Sequence, residues 1–308
     1  DHDRVPRFDQ IWPETWKRWE GEGMTTPPAE LYDWDMVWLP GWFSSPPLAG
    51  EEQVIEEDEH TRVTRNAWGA LQRTWKDKSG TPEHLGWECT DPDIWRKKFK
   101  PRFAPEHLSV DIESKKKVLA EARRKGKWTC TVGHQCFEAM RAMLGDETFL
   151  MAMAGEPDWI REISRTYTDA LLWQYERMAE AGVQPDGVWN FEDLAYTQAP
   201  FCSPAMYREL VWPDHKRLAD WVHDHGMKLI FHTDGDIRGH MDLFVEAGFD
   251  VLQPLEAKAS VDIRELAPTY GREVAFFGNI DMTVAITNDR DKVAREVRTK
   301  LEAGMANK

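Results

Sequence analysis

The chain has 308 residues and a formal net charge of −15 at pH 7, which argues against sequence-independent binding to nucleic acid or to anionic lipid. It contains no apolar run of about 18 residues, so we expect no membrane-spanning helix. The four cysteines are scattered without C-x-x-C spacing, and residues 1–12 lack the basic and apolar regions of a secretory signal. These features predict a reduced, cytoplasmic protein.

The N-terminal third is rich in aromatic residues and in turn signals. Most of the sixteen tryptophans fall in the first hundred residues or so. Burial in the core is the common role for tryptophan, and the alternative is an aromatic-lined pocket for a flat or apolar ligand. Residues 50–80 alternate in patches around turn signals at Asn66 and Gly69, which predicts an antiparallel meander or hairpin.

From residue 128 onward, apolar runs alternate with amphipathic stretches. Helix signals include Pro157 near the start and Gly182 at the end of one stretch, and Ser203 with Pro204 at the start of another that Pro213 should break. The predicted strands lie within 128–145 and at 148–155, 186–193, 228–236, 250–257 and 273–281. The predicted helices lie at 156–182, 203–226, 240–248, 260–271 and 289–304.

This alternation predicts parallel strands joined by right-handed crossovers, either in an open doubly wound sheet or in a closed barrel. No G-x-G-x-x-G or phosphate-binding loop follows any strand, which argues against a dinucleotide site. Polar side chains end four consecutive strands, and barrel enzymes build their sites at such ends. These strand-end residues are Asn190, Glu192 and Asp193; His232, Asp234 and Asp236; Glu256; and Asn279 and Asp281. His134 and Cys136 follow another strand and are weaker candidates.

We therefore predict an α/β fold, a (β/α)8 TIM barrel with an N-terminal antiparallel β extension. The chain should form a single domain over residues 1–308. Residues 1–127 would hold the extension and the first barrel elements, and residues 128–308 would hold the regular β/α units.

Five motifs carry a resemblance to a known family. They are "ED" at Glu192-Asp193, "SPAMYRE" followed by a proline and Lys216, "HTDG" at 232–235, "GFDVLQPLE" ending at Glu256, and "GNID" at 278–281. In this order and spacing the chain resembles the uroporphyrinogen decarboxylase superfamily, whose fold is a (β/α)8 barrel. The superfamily also contains methyltransferases that move methyl groups to or from corrinoids or onto thiols.

The chain departs from both branches of the superfamily, and we expect it to be closer to the methyltransferase-like members. True uroporphyrinogen decarboxylases carry an arginine-rich N-terminal segment, and this chain has no matching arginine motif. They also carry an aspartate after an early strand, for which Asp35 is the best stand-in here. The zinc methyltransferases carry H-x-C where this chain has His232-Thr233-Asp234. Their third ligand lies on a last strand that would fall beyond Lys308, so we expect that strand to be missing.

The spacing of the strand-end residues suggests their roles. His232 and Asp234 share one face of a strand and could hold a metal ion or a proton together, whereas Glu192 and Asp193 point to opposite faces. Candidate catalytic residues are Glu192, Asp193, His232, Asp234 and Glu256. Candidate substrate-binding residues are Asp35, Trp189, Asn190, Asn279 and Asp281, and candidate zinc ligands are His232 and Asp234.

Three hypotheses for the function remain open. The first is methyl transfer, with a corrinoid supplied by a partner protein or with a thiol acceptor, at a polar or metal site in the barrel mouth. The second is decarboxylation of a tetrapyrrole or of a smaller acid. The third is a non-catalytic binding protein on the same barrel. The resemblance also implies a homodimer.

Overall fold

The computed structural model of the chain describes residues 4–78 and 80–306. Within these ranges no helix has both the length and the apolar character needed to cross a membrane. The strands are, in chain order, β1 (Met36–Phe43), β2 (Gln53–Glu57), β3 (Thr61–Arg65), β4 (Ala70–Trp75), β5 (Glu83–Trp87), β6 (Trp128–His134), β7 (Gly187–Phe191), β8 (Ala195–Tyr196), β9 (Ala199–Pro200), β10 (Lys228–Thr233), β11 (Val251–Pro254) and β12 (Ala275–Phe276).

Helices separate the parallel strands. They are α1 (Pro13–Gly21), α2 (Pro28–Leu31), α3 (Pro92–Ile94), α4 (Ile112–Arg124), α5 (Cys136–Leu144), α6 (Asp146–Gly155), α7 (Pro157–Glu180), α8 (Pro204–Leu210), α9 (Trp212–Asp224), α10 (Met241–Ala247), α11 (Ile263–Tyr270), α12 (Met282–Ala285) and α13 (Arg290–Met305). Helix α3 continues into a π-helical turn at Trp95–Phe99, and 3-10 turns lie at Lys100–Phe103, Pro105–His107, Arg238–His240 and Ala257–Ala259.

The main sheet has six parallel strands in the order β1-β6-β7-β10-β11-β12. Each strand therefore pairs with the preceding strand of the same sheet, as in a (β/α)8 barrel. No pairing joins β12 to β1 within the described ranges. The predicted parallel α/β fold is confirmed.

The antiparallel extension is also confirmed, as the four-stranded meander β2-β3-β4-β5. It lies between β1 and α4, so it follows the first strand of the main sheet. Because the chain leaves a parallel strand at its C-terminal end, the meander begins on the side of the sheet where a barrel enzyme has its active site.

One predicted strand is wrong and one predicted break is right. Residues 148–155 lie in helix α6, whose buried residues Phe149, Ala152 and Met153 follow the spacing of a helix. Helix α8 ends at Leu210 and α9 begins at Trp212, so the chain breaks just before Pro213, as expected.

The main sheet separates two apolar clusters. The larger one packs strands against helices, and in it Phe231 is fully buried and stacks on Phe249 with ring centroids 4.1 Å apart. Burying one such side chain contributes about 1.5–3 kcal/mol to stability. The smaller cluster covers the opposite, inner face around Trp189 and Ile230. Alternation along each strand thus sends one set of side chains to the helices and the other to the barrel interior.

Candidate active site

A row of four side chains crosses the inner face at the C-terminal end of the sheet. His134 of β6, Phe191 of β7, His232 of β10 and Gln253 of β11 are in register across neighbouring strands. Paired residues in a parallel sheet point to the same face, so these four side chains share the inner face with Trp189 and Ile230 one layer below. The row forms the floor of the barrel mouth.

Three side chains converge at this level. Oxygen atoms of Asp193 and Asp234 and a ring nitrogen of His232 all lie within 4.8 Å of one another. His232 Nε2 is 3.5 Å from Asp193 Oδ1, and the Asp234 backbone N–H donates to the same oxygen at 3.3 Å. The spacing predicted the pair His232 and Asp234, and the fold adds Asp193 from the neighbouring strand.

Gln253 fixes the orientation of the His232 ring, although no local sequence pattern indicates this role. Its amide Oε1 contacts His232 Nδ1. An amide oxygen only accepts hydrogen bonds, so Nδ1 carries a proton and the lone pair of the neutral ring lies on Nε2, which faces Asp193. This is the usual arrangement of a metal-binding histidine and its supporting residue.

Burial and mutual charge shape the protonation of the three groups. Burial disfavours a charge on His232, but hydrogen bonds and the charge of Asp193 outweigh it and raise the pKa of His232 above its usual value. Burial opposes ionisation of Asp193 too, and His232 nevertheless lowers the pKa of that carboxyl. Burial, with the charges of Asp193 and Glu256, raises the pKa of Asp234. Without a metal ion, these two shifts favour a protonated His232 facing an ionised Asp193.

Glu256 lies beside this cluster and is held by the tight turn after β10. Its Oε2 accepts from the Gly235 N–H at 3.0 Å, and its Oε1 pairs with Lys258 Nζ at 2.6 Å. Gly235 has φ of +83°, and a Cβ there would lie 2.5 Å from the Ala195 carbonyl carbon. A side chain is therefore excluded from this turn, which presents Asp234 and contacts Glu256 at the mouth.

Glu192 points away from the mouth, on the opposite side of the chain from Asp193. It is fully buried, and its carboxyl accepts from the Phe137 and Glu138 N–H groups at the start of α5, at 3.0 and 2.6 Å. His215 Nε2 lies 3.2 Å from it. Burial raises the pKa of Glu192 to about 8, against the opposing effect of the α5 amides. Glu192 thus anchors α5 behind the cluster.

Cys136, Glu192 and His215 form a second group with metal-ligand chemistry, but it lies inside the core. Burial raises the pKa of the Cys136 thiol and lowers the pKa of His215 to about 3. His215 also contacts the Tyr207 hydroxyl through Nδ1, at 2.7 Å. These groups act as a buried hydrogen-bonded network.

The structure places the remaining predicted residues away from the three-residue cluster. Asn190 is buried on the helix side, where its amide donates to Gln135 Oε1 at 3.1 Å. The Asn279 amide is also buried: it accepts from Ile263 N–H and donates to two backbone carbonyls. Asp281 caps α12. Trp189 lies in the inner-face cluster.

The expected role of Asp35 needs correction. Asp35 precedes β1 and forms two contacts of 2.7 Å with the Arg4 guanidinium. Its carbonyl accepts from Trp128 N–H at the start of β6. Both strands begin there, so Asp35 lies at the N-terminal edge of the sheet, opposite the mouth. The family aspartate follows an early strand, whereas Asp35 precedes one.

The family model for uroporphyrinogen decarboxylase (URO-D) matches residues 131–308, which is more than half of the chain. The chain therefore belongs to this family of enzymes. A search of curated proteins found no match.

Among solved structures, a methyltransferase from Methanosarcina mazei is similar, with a TM-score of 0.59 and 15% sequence identity. The similarity covers 90% of this chain and 74% of that one. At this identity the comparison supports the barrel fold, and the function has to be argued from the site.

Proposed function

We propose that this protein is a methyltransferase whose His232, Asp193 and Asp234 bind a divalent metal ion in the barrel mouth. The observation that carries the proposal is the convergence of three potential ligand atoms within 4.8 Å, with His232 Nδ1 already engaged by Gln253. Such support of the outer ring nitrogen is typical of metal-binding histidines. The methyltransferase from Methanosarcina mazei, which shares the fold, agrees with this choice.

The residues fit zinc, although they are not selective for it. One imidazole nitrogen and two carboxylate oxygens are acceptable ligands for zinc, and also for harder ions such as manganese. Asp234 stands where the zinc methyltransferases that this chain resembles have a cysteine. A bound divalent ion would supply a Lewis acid that lowers the pKa of a thiol or hydroxyl.

The residues around the cluster would orient the acceptor and remove its proton. Glu256, beside Asp234, would take the proton from the acceptor S–H or O–H. The freed electron pair then forms the new bond to the methyl carbon, while the bond from methyl to its donor breaks and leaves its electrons on the donor. We propose that the donor is a corrinoid carried by a partner protein that docks over the mouth. The cytoplasmic location and the homodimer remain predictions from the sequence.

The charges around the mouth disfavour uroporphyrinogen itself as the substrate. Its many carboxylates require unpaired cations. Arg141 is engaged with Asp146 at 2.7 Å and with Glu138 at 3.0 Å, and Lys258 with Glu256 at 2.6 Å. The cationic groups described nearest the cluster are thus already paired.

Decarboxylation of a smaller acid is the second candidate function. Asp193 raises the pKa of His232, so in the absence of a metal ion the imidazolium could donate a proton to the carbanion left by loss of carbon dioxide. This route uses the same two residues without a cation, so metal content separates it from the first.

The deciding experiment is metal analysis of purified protein by mass spectrometry, with His232→Ala and Asp234→Ala as test variants. His223→Ala is the matched control, since His223 pairs with Asp250 at 2.8 Å at the start of β11. About one equivalent of metal per chain, lost only in the test variants, would support the methyltransferase. Transfer from methylcobalamin to a thiol or phenol would then be assayed.

Metal-free preparations would refute the metal site, and a decarboxylation assay would follow. Binding of ligands without any turnover would support a non-catalytic binding protein instead.

A further inference from the structure

Beside the cluster, His134 has an unsatisfied ring nitrogen that the proposed chemistry does not use. It lies in the same row as His232, on the far side of Phe191. Within the described residues its Nδ1 is buried and has no hydrogen-bond partner. Buried polar atoms are nearly always satisfied, so this nitrogen is open to a hydrogen bond from a polar group that enters the mouth.

Aromatic rings surround His134. Trp42 lies at 5.2 Å between ring centroids with the planes 68° apart, and Trp68 from the loop of the meander lies at 6.5 Å. Trp42 also contacts Phe191 at 4.9 Å. Rings from the sheet and from the extension thus meet at one place, next to the unsatisfied imidazole nitrogen of His134.

The backbone brings Trp42 to this position. The pairing of β1 with β6 shifts between Trp38 and Trp42, and Gly41 within this bulge has φ of +83°. Bulges re-aim side chains near active sites. Phe43, the next residue, is buried, whereas Trp42 remains 40% exposed. An indole held by the backbone yet open to solvent is suited to stack on a flat ligand.

The net charge of the metal-loaded cluster favours a neutral flat ligand over a charged one. Two carboxylates, Asp193 and Asp234, balance one divalent cation, so the loaded cluster has little net charge to attract an ion. The inference rests on the proposed function, because this charge balance assumes a bound divalent ion. A ligand that fits both the rings and His134 is then neutral, aromatic and carries an oxygen.

We propose that Trp42, His134 and Trp68 form a binding subsite for a neutral phenol or aryl methyl ether. The aromatic ring would stack on Trp42, and the hydroxyl or ether oxygen attached to the ring would hydrogen-bond to the His134 imidazole. The row from His134 to His232 sets the ligand beside the metal cluster, where a phenolic oxygen would be the group that accepts or releases methyl.

Isothermal titration calorimetry with 2-methoxyphenol as the probe tests this subsite. We expect tighter binding than for 2-methoxycyclohexanol, which has similar oxygens without the aromatic ring. Trp42→Ala should weaken binding about tenfold, and Trp75→Ala should not. Trp75 is the matched control because it is also 40% exposed but lies at the end of β4.

The variant His134→Phe separates the hydrogen bond from packing. It should weaken binding of 2-methoxyphenol and leave binding of toluene unchanged, a pattern that a misfolded variant would not give. Equal affinity for the saturated probe, unchanged binding by Trp42→Ala, or stronger binding of tetramethylammonium would overturn the proposal.

Metal content of the same samples distinguishes this inference from the proposed function. A metal-free protein that still prefers the aromatic probe would support the subsite and refute the metal site. A metal-loaded protein with no such preference would refute the subsite alone.

Discussion

Replacing Gln253 by leucine isolates the contribution of one supporting residue to the proposed metal site. Leucine has a side chain of similar size to glutamine, but it lacks the amide oxygen that accepts the His232 Nδ1 proton. The ring is then free to rotate or to change tautomer, so Nε2 is no longer fixed toward Asp193. The three ligand residues remain unchanged, and any loss of affinity comes from their orientation.

The expected loss follows from the single contact that is removed. Loss of a residue that supports a metal ligand typically lowers metal affinity about 10- to 100-fold, which corresponds to about 1.4–2.7 kcal/mol. Leaving a buried donor unsatisfied costs about 1–3 kcal/mol, which agrees with that range. His232 is largely buried, with 15% of its side chain exposed, so water replaces the lost acceptor poorly.

Competition with a coloured chelator would measure zinc and manganese affinity in the wild type and in Gln253→Leu. Gln72→Leu is the matched control, because Gln72 contacts the ring of His84 at 2.8 Å across β4 and β5, away from the mouth. The reasoning fails if Gln253→Leu binds metal as tightly as the wild type, or if the control loses as much affinity.

Three further variants test the electrostatics and the turn. In metal-free protein, Asp193→Asn should lower the raised pKa of His232, measured by histidine NMR; an unchanged pKa would contradict the ion pair. Gly235→Ala should destabilise the fold by about 1–3 kcal/mol in urea unfolding, because its φ is +83° and its Cβ would meet the Ala195 backbone. Burial raises the pKa of Glu192 from 4.5 to about 8, so protonated Glu192 contributes a stability that is fully present below pH 4.5 and is lost as pH rises through about 8. Unfolding free energy should therefore fall by up to about 1.4 kcal/mol per pH unit between these two pKa values, and Glu192→Gln should remove this slope.

The fold was largely predictable because strands and helices leave different periods in the sequence. Polar strand ends also distinguished a barrel from a doubly wound sheet. Residues 148–155 were misread because Phe149, Ala152 and Met153 stand in an almost continuous apolar run, which resembles a buried strand. Only the packing of α6 against its neighbours shows that this segment is a helix.

The site was predictable where its residues stand at the ends of strands. His232 and Asp234 are two residues apart, so their common face follows from strand geometry. Gln253 is 21 residues from His232, and its role depends on the register of β10 with β11, which no local pattern encodes. Asn279 looks like a site residue in sequence, yet its amide holds backbone groups of the loops around it.

Metal binding at this site has to compete with a proton, and that competition gives a final prediction. Burial disfavours a charge on His232, but Asp193 raises the pKa of His232 and so favours a proton on the nitrogen that a metal needs. Metal binding must therefore release this proton, and apparent affinity should fall by up to about tenfold per pH unit below the pKa of His232. Calorimetry in two buffers of different ionisation enthalpy would count the protons released at pH 6 and at pH 8. Asp193→Asn removes both a ligand and the group that holds the proton, so the variant should bind more weakly but release less proton at pH 6. Equal proton release at both pH values in the wild type would show that His232 is not the ligand.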